Sequence, residues 1–232
     1  MSPSRSLRDL PGPQAILFDL DGTLVDTVHR RIDAWREALR QHGVVADVDR
    51  LAGLIGSDGR RMAREVSRDA GRQFDDAEAQ VVDNLSGAIF DELNRTPVPL
   101  PGASELLTAL ELRPFTFAIA TSSLPGQVAA SVKSLALPAE PPIVDGSHVV
   151  HAKPAPDLLL AAAAQLGVMP GRCWYVGDST WDMLASAAAG MIGIGVTTGA
   201  ADADDLIVAG ASLTIESLTV LLAEVRRRGL TT

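Results

Sequence analysis

A chain of 232 residues is long enough for a full α/β core and a smaller accessory unit, and its net charge of −9 excludes the basic footprint that a nucleic-acid backbone demands. Although 47% of the residues are hydrophobic, no apolar run approaches the length of a membrane span, so neither nucleic acid nor membrane is an expected partner. A single cysteine, Cys173, rules out an intrachain disulfide and fits a cytoplasmic location.

In chain order, Met1 to Pro13 carries arginines and prolines without an apolar signal core and reads as a flexible tail. Ala15 to Asp19 predicts a strand buried on both faces, and Asp19 and Asp21 follow where it stops, with Gly22 directly after. From about Val28 to Arg95 the pattern turns helical. Ile32, Trp35 and Leu39 recur at helical spacing, as do Met62, Val66 and Ala70, so each helix has one apolar face to bury. Residues 28–95 therefore predict a helical insert, entered after Leu24 to Thr27 and left through Pro97, Pro99 and Pro101.

Beyond the insert, residues 96–232 alternate strands with helices. The predicted strands are Phe115 to Thr121, Pro142 to Val144, Trp174 to Gly177 and Ile192 to Val196. The predicted helices are Gly102 to Glu111, Pro156 to Leu166, Thr180 to Ala189 and Ile215 to Arg228. This alternation, continued from the first strand at 14–27, implies a Rossmann-like parallel sheet with helices on both faces. Sites in such sheets form outside the carboxyl ends of strands, where Asp19, Thr121 with Ser122, and Asp178 all fall. Lys153, one of two lysines, stands before Pro154 in a stiff loop, and Asp182 lies four residues after Asp178 at a helix start.

These ordered blocks, Asp19-Leu20-Asp21-Gly22-Thr23, Thr121, Lys153-Pro154 and Gly177-Asp178 with Asp182, resemble the haloacid dehalogenase-like superfamily of phosphohydrolases from about Ile16 to the last helix. The resemblance implies that the insert is a helical cap of the C1 type. It implies that Asp19 is the nucleophile forming an aspartyl-phosphate, that Asp21 is the general acid and base, and that Thr121 and Lys153 complete the catalytic set. The second acid, Asp21, distinguishes phosphoester chemistry from the dehalogenase branch. Mg2+ is the implied cofactor, held by Asp19, the Asp21 backbone carbonyl and Asp178, with Asp182 binding through water or orienting Asp178.

Gly22, Ser122, Arg60 and His29 are the expected substrate-binding residues. Arg60 lies after the glycine-flanked Gly56-Ser57-Asp58-Gly59 segment, where it could grip a second anionic group, whereas Arg64, Arg68 and Arg72 continue the stripe as a solvated face. The expected activity is a magnesium-dependent phosphatase of a small phosphorylated metabolite, in a monomer or weak homodimer. A sugar-phosphate mutase is the alternative, lowered by Arg31 at the position where β-phosphoglucomutases of this family carry a cap histidine. A binding or regulatory module on the same fold is the alternative of another class; the retained reactive side chains tell against it.

Overall fold

The computed structural model describes residues 6–113 and 115–230. Six strands, β1 (Ala15–Phe18), β2 (Thr116–Ala120), β3 (Ile143–Val144), β4 (Cys173–Gly177), β5 (Ile192–Val196) and β6 (Leu213–Ile215), form one parallel sheet in the order β3-β2-β1-β4-β5-β6. The chain runs outward from β1 in both directions, so the carboxyl ends of β1, β2 and β4 border one crevice.

Alternation along the buried strands builds two cores. Ile16, Phe18, Trp174 and Val176 face one apolar cluster, packed by α5 (Ala103–Leu112), α6 (Pro125–Ser134) and α10 (Leu218–Arg227). Ala15, Leu17, Cys173 and Tyr175 face the other, packed by α7 (Asp157–Leu166), α8 (Thr180–Ala188) and α9 (Ala203–Val208). Each fully buried leucine or isoleucine in these layers contributes roughly 1.5–3 kcal/mol, which fixes the strand ends that carry the site.

The remaining helices, α1 (Val28–Gln41), α2 (Val48–Ala52), α3 (Gly59–Asp69) and α4 (Asp76–Leu93), bury a cluster of their own that includes Ile32, Trp35, Leu39, Met62 and Val66. Side chains of Asp47, Asp58 and Asp75 accept from backbone N–H groups at the starts of α2, α3 and α4, which sets where each begins. No helix among the described residues is long and apolar enough to cross a membrane.

The structure departs from the sequence reading in three ways. The flexible tail expected over residues 1–13 is docked over residues 6–13, its first five residues lying outside the described ones. Leu7 and Leu10 are buried, Arg228 donates to the Leu7 and Leu10 carbonyls at 2.6 and 2.9 Å, and the Trp174 indole donates to the Pro11 carbonyl at 3.0 Å. Its partners come from the far end of the chain, so no local pattern announces them. The helix expected from Ile215 begins at Leu218, because Leu213–Ile215 pairs with β5 as the sixth strand. Helices α6 and α9 and strand β6 add to the elements foreseen.

Candidate active site

β1 ends at Phe18, and the Asp19 N–H donates to the Val176 carbonyl at 2.9 Å, anchoring the first carboxylate between β1 and β4. The chain then turns tightly, with Gly22 at φ +82° and its N–H donating to the Val25 carbonyl at 2.8 Å. The glycine is needed twice: that φ favours it, and a Cβ there would stand 2.3 Å from Asp178 Oδ2. From the same turn Thr23 Oγ1 donates to Asp178 Oδ1 at 2.7 Å. Gly199 closes the other side, where a Cβ would stand 1.8 Å from Asp178 Oδ2. Asp178 is thus held in a slot between two glycines.

Lys153 is 2% exposed and donates to Asp19 Oδ1 and to Asp182 Oδ1, both at 2.6 Å. Asp182 also accepts from the Tyr175 hydroxyl at 2.8 Å, and from the Ser179 N–H and hydroxyl at 3.0 and 2.6 Å. Burial alone would raise the Asp182 carboxyl, but Lys153 and these hydrogen bonds hold it below its ordinary value. No hydrogen bond among the described residues joins Asp182 to Asp178; its hydrogen bonds hold the lysine, with Tyr175 and Ser179 behind it.

Asp19 and Asp178 move the other way. Burial pushes Asp19 up to about 7, with the Asp182 and Asp21 charges adding to it and Lys153 opposing. Burial, then Asp182 and Asp19, raise Asp178 well above the carboxylate range. Asp19, Asp178 and Asp182 each bring a carboxylate oxygen within 4.8 Å of the others. A buried, all-oxygen donor set with excess negative charge suits a hard divalent cation such as Mg2+, so the residues fit the expected metal.

Asp21 faces outward from the turn into a different set of partners. It accepts from Thr27 Oγ1 at 2.8 Å, Ser123 Oγ at 2.5 Å and the Arg31 guanidinium at 2.9 Å. Burial raises this carboxyl, but Arg31 and the two hydroxyls outweigh it and leave it lowered. Arg31 comes from α1, also donates to Ser123 Oγ and Gln127 Oε1, and lies 3.5 Å over the Phe90 ring. One helical-insert arginine thereby ties together the acid, the loop after β2 and helix α6.

These groups floor a cleft of about 650 Å³ between the sheet and the helical insert. Asp19, Asp21, Thr121, Ser122, Lys153, Asp178 and Asp182 all line it, and the Ser122 hydroxyl is buried there without a hydrogen-bond partner among the described residues. Gly22 lies behind the carboxylates rather than in the cleft wall. Arg60 lines the cleft, half exposed and 3.8 Å from Asp58. His29 is exposed and outside the lining, since two helical positions before Arg31 is the opposite face of α1. Arg64 pairs with Asp76 and Arg68 is exposed, as a solvated face requires. The insert is tied to α8 by Trp181, whose indole donates to the Gly53 carbonyl at 3.1 Å and whose ring lies 4.7 Å from the Arg61 guanidinium carbon.

Residues 13–190 match the family model of haloacid dehalogenase-like hydrolases. The chain belongs to that family. It is 31% identical over 182 residues to the fructose-1-phosphate phosphatase YqaB of Escherichia coli, covering 78% of this chain and 95% of that protein. It is 30% identical over 218 residues to the β-phosphoglucomutase of Bacillus subtilis, covering 88% of this chain and 93% of the relative. Among solved structures, a hydrolase from Pseudomonas syringae is similar with a TM-score of 0.87 and 34% identity, over 92% of this chain and 98% of that one. The motif order therefore identifies the family correctly, in its phosphatase branch with a helical C1 cap, and the parallel sheet is the family's fold.

Proposed function

We propose that this hydrolase is a magnesium-dependent phosphatase that passes the phosphoryl group of a small sugar phosphate first to Asp19 and then to water. The observation that supports it most is the buried Asp19–Lys153–Asp182 array opening into the 650 Å³ cleft. The name of the Escherichia coli relative, a fructose-1-phosphate phosphatase, supports the substrate class.

In this reading Asp19 attacks phosphorus, dividing one displacement into two. Mg2+, held by Asp19, Asp178 and the Asp21 backbone carbonyl, would supply charge neutralisation for the phosphoryl oxygens. Lys153 offsets the carboxylate charge beside the nucleophile, and Asp182 with Tyr175 fixes the lysine. The hydroxyls of Thr121 and Ser122 donate to phosphoryl oxygens, which gives the unpartnered Ser122 Oγ an acceptor. Asp21 protonates the departing oxygen, then takes a proton from the water that attacks the aspartyl-phosphate. Helices α1–α4 act as the cap that excludes bulk water.

Hydrolysis of p-nitrophenyl phosphate should require added Mg2+ and stop with a chelator; no turnover in either condition would refute the reading. The Bacillus relative favours mutase action as the second reading. Release of inorganic phosphate from a hexose 1-phosphate, rather than its conversion to the 6-phosphate, separates the two.

A further inference from the structure

The wall of the cleft above the carboxylates carries a charge pattern that the chemistry at its floor does not use. Asp58, Asp83 and Asp91 line it from the cap, with Gln80 and Asn84 alongside on α4. The cations there are already engaged: Arg31 is bonded to Asp21, and Arg60 stands 3.8 Å from Asp58. Asp83 is half-buried against the first residue of α3, where a Cβ on Gly59 would stand 2.0 Å from its Oδ1. No hydrogen bond or salt bridge among the described residues engages its carboxylate. Burial, reinforced by Asp58 and opposed by the Arg60 and Arg31 charges, pushes that carboxyl up to about 6. At the floor of the same cleft, the Ser122 hydroxyl, without a hydrogen-bond partner among the described residues, marks the cleft as a whole as facing a ligand.

An ionised carboxylate only accepts hydrogen bonds, so it pairs with hydroxyl donors, whereas side-chain amides both donate and accept. A second phosphate or a carboxylate brought to this wall would meet three carboxylates, with Arg31 bonded to Asp21 and Arg60 standing 3.8 Å from Asp58. Like charges brought together at the cleft wall are an element of rejection. We infer that the cap wall reads an uncharged, polyhydroxylated leaving group, with Asp83 accepting from its hydroxyls beside Gln80 and Asn84, and that it rejects monophosphates whose remainder carries a second anion. The inference rests on the phosphatase reading above. It reverses the expectation that Arg60 grips a second anionic group. It also disfavours mutase action, since moving a phosphoryl group between two sugar hydroxyls through the enzyme passes through a bisphosphate.

The test is kcat/KM in Mg2+ for four natural-type substrates, a hexitol monophosphate, glycerol phosphate, phosphoglycerate and a hexose bisphosphate, with p-nitrophenyl phosphate as reference. Polyol monophosphates should exceed their anionic counterparts by at least about tenfold. Asp83→Lys should shift that ratio toward the anionic substrates by about a hundredfold, and Asp83→Asn, which keeps the shape, should shift it in the same direction by less. A wild-type preference for phosphoglycerate or the bisphosphate would overturn the inference, as would an unchanged ratio in both variants. Absence of p-nitrophenyl phosphate turnover by the wild type would instead refute the phosphatase reading itself.

Discussion

Replacing Lys153 by methionine removes the one cation among the described residues that touches both Asp19 and Asp182, while keeping most of the side-chain volume. Lys153 is 2% exposed and its ammonium donates to both at 2.6 Å, and Asp178 lies in the same carboxylate group. Removing one partner of a buried ion pair costs about 3–5 kcal/mol, because the remaining charge is left uncompensated. For a chain of this size each kcal/mol lowers the unfolding midpoint by about 2–4 °C, so a drop of roughly 6–20 °C is expected. The loss should depend on pH. Without the lysine the carboxyls hold protons more tightly in the folded state than in the unfolded chain. A group raised in this way contributes fully below its unfolded pKa and loses that contribution as pH rises through its folded pKa. Circular-dichroism melts in chelator should therefore show Lys153→Met close to the wild type near pH 5 and far below it near pH 8, and Mg2+ should restore part of the difference. A deficit under about 1 kcal/mol near pH 8, or one equal at both pH values, would refute the electrostatic role given to this lysine.

The wild type itself should show the same sign in chelator. Asp19, raised from 3.8 to about 7, contributes stability that declines between those values as pH rises, and added Mg2+ should flatten the slope by replacing the proton; a rising slope across that window would contradict this. Asp21→Asn should slow hydrolysis of an alkyl phosphate more than that of p-nitrophenyl phosphate, by about 10-fold or more, because only the alkoxide needs a proton to leave. Equal losses in steady-state kinetics would remove the general-acid assignment. Gly199→Ala should raise the Mg2+ concentration needed for half-maximal activity, since its Cβ would stand 1.8 Å from Asp178 Oδ2 and must displace that carboxylate; an unchanged magnesium titration would show that Asp178 is not a ligand.

The residues legible in the sequence are those fixed by strand ends. Asp19, Thr121 and Asp178 directly follow or close behind short apolar runs, and parallel pairing places those runs side by side, so their order along the chain already brings them together. Lys153 was legible through its ordered place and its proline-bounded loop. What stayed hidden depends on contacts that no local pattern encodes. Tyr175 reads as one more buried strand residue until its hydroxyl is seen on Asp182, and Gly199 reads as a loop glycine until Asp178 fills the space beside it. Arg31 and His29 show the limit of spacing arguments on a helix: two positions rotate a side chain by roughly 200°, so the neighbour of a cleft residue faces solvent. The acidic cap wall was obscured by the arginine stripe that runs through α3, whose later members pair with surface acids or meet solvent.

Trapping the covalent intermediate tests the central chemical assignment most directly. An acyl phosphate on an aspartate is reduced by borohydride to homoserine, whereas a free carboxylate is not. Enzyme quenched into borohydride during steady turnover of p-nitrophenyl phosphate with Mg2+ should carry homoserine at position 19, seen by mass spectrometry of the peptide spanning Phe18 to Asp26, and should carry none when substrate is omitted. Turnover with an unmodified Asp19, or with homoserine at Asp21, Asp178 or Asp182 instead, would contradict the assignment of Asp19 as the nucleophile.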